Sequence, residues 1–250
     1  MIIELKNKIA IVTGGSQGIG RAIAEAFAEA GASVFIADID DEMGAAAVQA
    51  IREKGGDATY CHADVSVEAD AAAVTKQAAA KHNRIDVLCN NAGYLAKFHA
   101  LEDAPVEEWE RNFAVSLMGT RHFTREALRW MVPQRSGSIV NIASVQSLAA
   151  ARNSVAYSSI KTALVGFTRC VAYDYGPHNI RVNAICPGAI QTRISPKPGD
   201  EVYKRQVEKT FLGRVGQTHE IGGAAVFLAS DAASYVTGAV LAVDGGWSAM

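Results

Sequence analysis

Lys8-Ile-Ala-Ile-Val-Thr-Gly-Gly-Ser-Gln-Gly-Ile-Gly20 is the stretch on which the reading of the fold turns. Lys8 to Thr13 is a short apolar run, the pattern of a buried strand. Glycines break it, and Ile19, Ile23, Ala26, Phe27 and Ala30 then recur at helical spacing until Gly31 ends the helix. Strand, glycine-rich turn and helix in succession place free backbone N–H groups at the positive end of a helix dipole, where a pyrophosphate can sit. Gly14, Gly18 and Gly20 carry the turn, with Ser16, Gln17 and Ile19 between them as candidate cofactor contacts. The spacing departs from G-x-G-x-x-G, and a glycine-rich turn taken alone is also readable as a tight connection.

The same alternation runs outward along the chain. Strands are expected at Ser33 to Ala37, Ala58 to His62, Ile85 to Cys89, Ser138 to Ile142 and Ile180 to Ile185. Between them fall helices Asp41 to Lys54, Val67 to His82, a long stretch Pro105 to Val132, and Val155 to Tyr175. After Pro187 comes a polar loop through Gly199, a short helix near Glu201 to Lys209, helix His219 to Ala229 and a last strand Ala239 to Val243. The irregular region 190–213 reads as a lid. Repeated strand–helix units joined by right-handed crossovers predict an α/β fold: one doubly wound parallel sheet of about seven strands with helices on both faces. Its ligand crevice lies outside the carboxyl ends of the strands. With 250 residues and no repeat or linker-like tract, one domain spanning residues 1–250 is expected.

Composition narrows the partners. A net charge of -2 offers no basic face for sequence-independent binding of nucleic acid, so small molecules are the expected partners. Cys61, Cys89, Cys170 and Cys186 form no C-x-x-C pair and read as reduced, inert thiols. Charges interrupt the apolar residues of Met1-Ile-Ile-Glu-Leu-Lys-Asn-Lys8, and no apolar run is long enough to span a bilayer, which predicts a cytoplasmic protein without membrane contact. The six histidines show no ligand spacing, so no metal is expected.

Asp38 ends the second strand, 18 residues beyond Gly20. A carboxylate there can accept hydrogen bonds from the adenosine ribose and would repel a 2′-phosphate. No Lys or Arg occurs among Gly15, Ser16, Gln17 and Ile39, which favours NAD over NADP, although Asp40 and Asp41 are rival carboxylates. Asp64-Val65 closes the third strand and Asn90-Asn91-Ala92-Gly93 the fourth, flanking the same crevice. Each alone is equally a helix cap or turn.

Tyr157 and Lys161 are four apart in a helical run, so their side chains share one face. A phenol of pKa about 10 is a poor acid or base at neutral pH, but a nearby ammonium favours phenolate. Lowering it by about three units takes roughly 4 kcal/mol, much of which one close cation in a partly desolvated cleft supplies. Tyr-x-x-x-Lys alone also fits an aromatic core residue beside a snorkelling lysine. Ser144 adds weight, because it follows the strand Ile139 to Ala143 at the sheet end where Tyr157 must point and can donate to a carbonyl oxygen.

Together Thr13-Gly-x-x-x-Gly-x-Gly20, Asn90-Asn-Ala-Gly93, Ser144, Tyr157-x-x-x-Lys161 and Pro187-Gly188 closely resemble the short-chain dehydrogenase/reductase family, over essentially the whole chain. The resemblance implies that Ser144 and Tyr157 bind the reacting oxygen, that Tyr157 exchanges its proton, and that Lys161 holds the nicotinamide ribose and tunes the phenol. It implies that Ile190 and Thr192, in Pro187-Gly-Ala-Ile-Gln-Thr192, contact the carboxamide. It also implies a homotetramer built on the helices Pro105 to Val132 and Val155 to Tyr175. One departure stands out: where the family has asparagine in Val-Asn-Leu-x-Gly, holding a relay water behind the lysine, this chain has Val115-Ser-Leu-Met-Gly119. Ser116 lacks the amide donors, and Asn112 stands one helical turn earlier.

For the substrate, Gln146 lies two residues past Ser144, on the same face if the segment stays extended, and Arg152 and Tyr94 are further wall candidates. Such polar groups suit a sugar or polyol. The expected function is an NAD-dependent sugar or secondary-alcohol dehydrogenase. The alternatives are a 3-oxoacyl thioester reductase, opposed by Asp38, and a nucleotide-binding regulator without turnover, opposed by intact Ser144, Tyr157 and Lys161.

Overall fold

A computed structural model describes residues 3–80, 82–95 and 97–249. Strand β1 (Ile9–Thr13) is buried along its whole length, as its unbroken apolar run requires. It is followed by α1 (Gly18–Glu29), β2 (Ser33–Asp38), α2 (Asp41–Glu53), β3 (Asp57–His62), α3 (Glu68–Ala80) and β4 (Val87–Asn90). Then come α4 (Val106–Asn112), a π-helical segment (Phe113–Met118), α5 (Gly119–Gln134), β5 (Gly137–Ile142), α6 (Val155–Tyr175) and β6 (Ile180–Pro187). The chain ends with β7 (Ile190–Gln191), α7 (Glu201–Glu208), β8 (Gly216–Gln217), α8 (Thr218–Ala229) and β9 (Val240–Val243).

Seven strands form one parallel sheet in the order β3-β2-β1-β4-β5-β6-β9, and β7 pairs separately with β8. The chain leaves β1 toward β2 on one side and returns as β4 on the other, so the crevice opens at their carboxyl ends, beside Thr13, Asp38 and Asn90. One face is covered by α1, α2 and α8, through Ile23, Phe27, Ile51, Ile221 and Leu228. The other is covered by α3, α5 and α6, through Val74, Phe123, Met131 and Ala172. Gly222 lets α8 lie directly on α1, since a Cβ there would come 3.0 Å from the Ala22 carbonyl oxygen.

Two expectations need correction. The stretch Pro105 to Val132 is not one continuous helix: it widens into the π segment at Phe113–Met118. Buried Asn112 and Ser116 bond each other there, and the Thr120 hydroxyl donates to the Ser116 carbonyl at 2.8 Å. The helix expected to reach His82 ends at Ala80, with Lys81 outside the described residues. Region 190–213 carries α7, where a short helix was expected.

Candidate active site

The nucleotide end is a backbone cradle locked by Asn91. Gly14 and Gly18 have φ of 62° and 58°, values that only glycine adopts freely. A Cβ on Gly20 would come 2.0 Å from the Gly14 carbonyl oxygen and 2.3 Å from Asn91 Nδ2. Asn91 Nδ2 donates to the carbonyls of Thr13 (3.1 Å) and Gly14 (2.9 Å), and the Thr13 hydroxyl accepts from the backbone N–H of Asn91 and Ala92. Asn91 therefore shapes the loop from behind. Asp38 faces it, its Oδ2 accepting from the Ser16 N–H at 3.0 Å and its Oδ1 from the Asp40 N–H at 3.2 Å. The rivals are committed elsewhere: Asp40 caps α2 through Met43 N, and Asp41 lies 2.7 Å from His62 Nδ1 and 2.8 Å from the Tyr60 hydroxyl. Asp38, Ile39, Asp64, Val65, Gly14, Gln17 and Gly93 line one cleft, joined by Arg111, whose guanidinium lies 4.8 Å over the Tyr94 ring.

A second cleft shares Gln17, Asn91, Gly93 and Tyr94 with the first and continues over the strand ends to Ser144, Tyr157 and Lys161. Ser144 stands just past β5, extended, and its Oγ accepts from the Gln146 N–H at 3.1 Å. An accepting hydroxyl has its own proton free to point elsewhere, here toward Tyr157 and any bound oxygen. Burial pushes the Tyr157 phenol above its ordinary range, the Ser144 hydrogen bond pulls it back, and the neighbouring Cys186 opposes ionisation further. Lys161 is only 4% exposed, donates to the Ile142 carbonyl at 2.8 Å and has its Nζ 5.9 Å from the Tyr157 ring centroid. Burial lowers its ammonium to about 8. Among the described residues no cluster of His, Cys, Asp or Glu could hold a metal.

A glycine cradle with no room for a Cβ, a carboxylate at the end of β2 and a serine, tyrosine and lysine converging on one cleft together fit a nicotinamide dinucleotide beside a reacting oxygen. The family model described as enoyl-(acyl carrier protein) reductase matches residues 14–248. A solved short-chain type dehydrogenase/reductase from Mycobacterium ulcerans has TM-score 0.95 and 31% identity, covering 98% of this chain and 91% of that one. This chain belongs to the short-chain dehydrogenase/reductase family. It is also similar to the 3-oxoacyl-[acyl-carrier-protein] reductase FabG of Chlamydia trachomatis, 40% identical over 243 residues, 97% of this chain and 98% of that protein. The cyclopentanol dehydrogenase of a Comamonas strain is 36% identical over 248 residues, covering 98% and 99%. The crystal structure of gox2181 has TM-score 0.94 at 35% identity, covering 99% of this chain and 98% of that one. As a member of the short-chain dehydrogenase/reductase family, the chain is an oxidoreductase acting on CH–OH donors with a nicotinamide cofactor.

Within this short-chain dehydrogenase/reductase, the Ser116 departure has a structural partner. Ser116 Oγ accepts from the Tyr94 N–H at 3.0 Å and donates to Asn112 Oδ1 at 2.8 Å, and neither side chain reaches solvent. A Cβ on Gly93 would lie 3.3 Å from Lys161 Nζ and 3.5 Å from Ser116 Oγ, so glycine keeps the space between ammonium and hydroxyl open. Pro187, Gly188, Ile19 and Thr192 line the reacting cleft. Ile190 does not, its side chain being buried beside a separate cavity with Phe211, Leu212 and Asp244.

The segment after Ser144 is not extended but turns at once into a 3₁₀ helix, Val145–Ser147, because Ser144 Oγ captures the Gln146 N–H. Gln146 is thereby carried toward α6, and neither it nor the exposed Arg152 is among the residues lining the cleft. Sequence reasoning missed Leu95, Arg193 and Ile194, which line the reacting cleft, and Arg111 in the adjoining one. Their signal was position: they follow the Asn-Asn-Ala-Gly and Pro-Gly motifs or sit one residue before Asn112.

Proposed function

We propose that this chain is an NAD-dependent dehydrogenase of a secondary alcohol, a small polyol or sugar, working reversibly on the corresponding ketone. The convergence of Ser144, Tyr157 and Lys161 on one cleft carries the reading. Bound nicotinamide would supply the hydride acceptor in oxidation and the donor in reduction. Ser144 directs its proton at the reacting oxygen and fixes it beside Tyr157. In oxidation the Tyr157 phenolate takes the alcohol proton as the C–H bond gives up hydride, and in reduction the phenol returns a proton to the nascent alkoxide. Lys161 holds the ribose hydroxyls and its charge favours phenolate, working against the burial that opposes ionisation. Asp38, held by the Ser16 N–H, accepts from the adenosine ribose and disfavours a 2′-phosphate.

We further place the protein in the cytoplasm as a homotetramer. The exposed face of α6, with Gly166 uncovered and Tyr173 86% exposed, is the expected contact. A second reading, reduction of a 3-oxoacyl thioester, draws support from the 40% identity to the Chlamydia protein and from Leu95 and Ile194, apolar and exposed at the cleft. Screening polyols, sugars and secondary alcohols with NAD, and a 3-oxoacyl thioester with NADH and NADPH, separates the two. Turnover confined to the thioester would overturn the first reading. Tighter NADPH than NADH in fluorescence titration would overturn the role given to Asp38.

A further inference from the structure

We propose that Gln146 is a positioning residue whose side-chain oxygen ties the loop bearing Ser144 to the first turn of α6, and so sets the spacing between Ser144 and Tyr157. Gln146 Oε1 accepts two hydroxyl donors at once, Ser154 at 2.5 Å and Ser158 at 2.9 Å. Its own N–H donates to Ser144 Oγ at 3.1 Å. One residue thus grips the catalytic serine with its backbone and the two residues bracketing the start of α6 with its side chain. Ser158 is the immediate neighbour of Tyr157, and Ser154 precedes Val155, the first residue of the helix.

The behaviour of Ser154 is the informative part. It occupies the N-cap position of α6, where a serine ordinarily turns its oxygen to the exposed N–H groups of the first turn. Here it makes no such cap and donates to Gln146 instead, although the side chain is 3% exposed and has few alternatives. A helix that forgoes its cap at the turn carrying Tyr157 has that turn placed from the loop side. The amide orientation follows from the donors. With Oε1 inward a single acceptor takes both serine protons. Lys161 and Cys186 are the titratable groups against Tyr157: Lys161 donates to the Ile142 carbonyl, and Cys186 lies against the Ser144 backbone and the Ser147 hydroxyl, so neither is held by the Gln146 side chain.

The inference rests on the dehydrogenase reading for its meaning, but it is testable without a substrate. Ultraviolet titration of tyrosinate in the NAD-loaded protein, with the Tyr157→Phe protein subtracted, reads the phenol alone. Gln146→Leu should move that titration upward by about one pH unit, the size of one lost charge-assisted hydrogen bond from Ser144. The paired change Ser154→Ala with Ser158→Ala, which leaves Gln146 in place, should move it in the same sense, and combining it with Gln146→Leu should add nothing further. With an alcohol from the screen, kcat should fall about a hundredfold in these variants while the KM for NAD holds. Gln146→Glu keeps an acceptor for both serines and should recover most of that loss. An unmoved tyrosinate titration in both Gln146→Leu and the serine pair would overturn the clamp. A Glu variant as impaired as Leu, with substrate KM raised and the titration unchanged, would instead show the amide nitrogen holding substrate. If the wild-type chain oxidises no alcohol while the titration moves as stated, the dehydrogenase reading fails and the clamp stands.

Discussion

Tyr157 and Lys161 share a corner in which burial works against both of their charged forms, pushing the phenol up and the ammonium down to about 8. The consequence for Lys161 has a definite sign. Between about 8 and its ordinary 10.5 the folded chain binds fewer protons at this site than the unfolded chain, so the site's contribution to stability rises with pH across that window. Ribose hydroxyls that accept from the ammonium favour its charged form, so NADH binding in the same window should take up a proton. Calorimetry in buffers of different ionisation enthalpy checks this, and proton release on binding would contradict the assignment. Tyr157→Phe should keep NADH affinity and lose about 10²–10⁴-fold in kcat, measured with the best alcohol of the screen. These residues were legible in the sequence because Ser144 at a strand end and the resemblance to the family gave meaning to a helix spacing that alone also fits a core pair. Gln146 was legible only as a residue of interest, since its placement assumed an extended segment that the Ser144 hydroxyl converts into a turn. Ile190 sits in a named motif, yet its side chain packs into the core against the α1 and α8 side of the sheet.

At the scale of elements, α1 meets its ligand only because Gly20 lets the Gly14 carbonyl and Asn91 amide pass under it. Gly20→Ala forces an overlap of the overpacking kind, about 1–3 kcal/mol, and so should weaken NADH binding about ten- to a hundredfold by titration. Circular dichroism should stay native, because Ile23 and Phe27 keep α1 on the sheet. In α4–α5 the apolar period that announced a helix survives the insertion of a π segment, since one widened turn shifts the pattern too little to show. What marked the site in the sequence was the departure at Ser116, and the structure adds that Asn112 and Ser116 are both fully buried. Ser116→Ala leaves the Tyr94 N–H without its acceptor and Asn112 Oδ1 without its donor. It should lower unfolding stability by about 1–3 kcal/mol in chemical denaturation, and an unchanged midpoint would show that the pair carries no net energy.

For the whole molecule, a parallel sheet of about seven strands with helices on both faces follows from alternation and crossover handedness, which is why that much of the architecture could be read before any side chain was placed, whereas the strand order came from the structure. The separate β7–β8 pair could not, because two-residue strands carry no period. Light scattering should give four times the 26.4 kDa chain mass, and a monomeric mass would count against the helix face proposed as its contact. NADH should raise the thermal midpoint more than NADPH at equal concentration, by mass action on the better-bound form. The packing of α8 on α1 through Gly222 reaches further than stability. Ala22 and Gly222 lie far apart in sequence, so the helix that follows the glycine cradle is braced by a long-range contact. A change at Gly222 that pushes α8 off α1 would thus reach the nucleotide loop from behind, at a distance from the cleft itself.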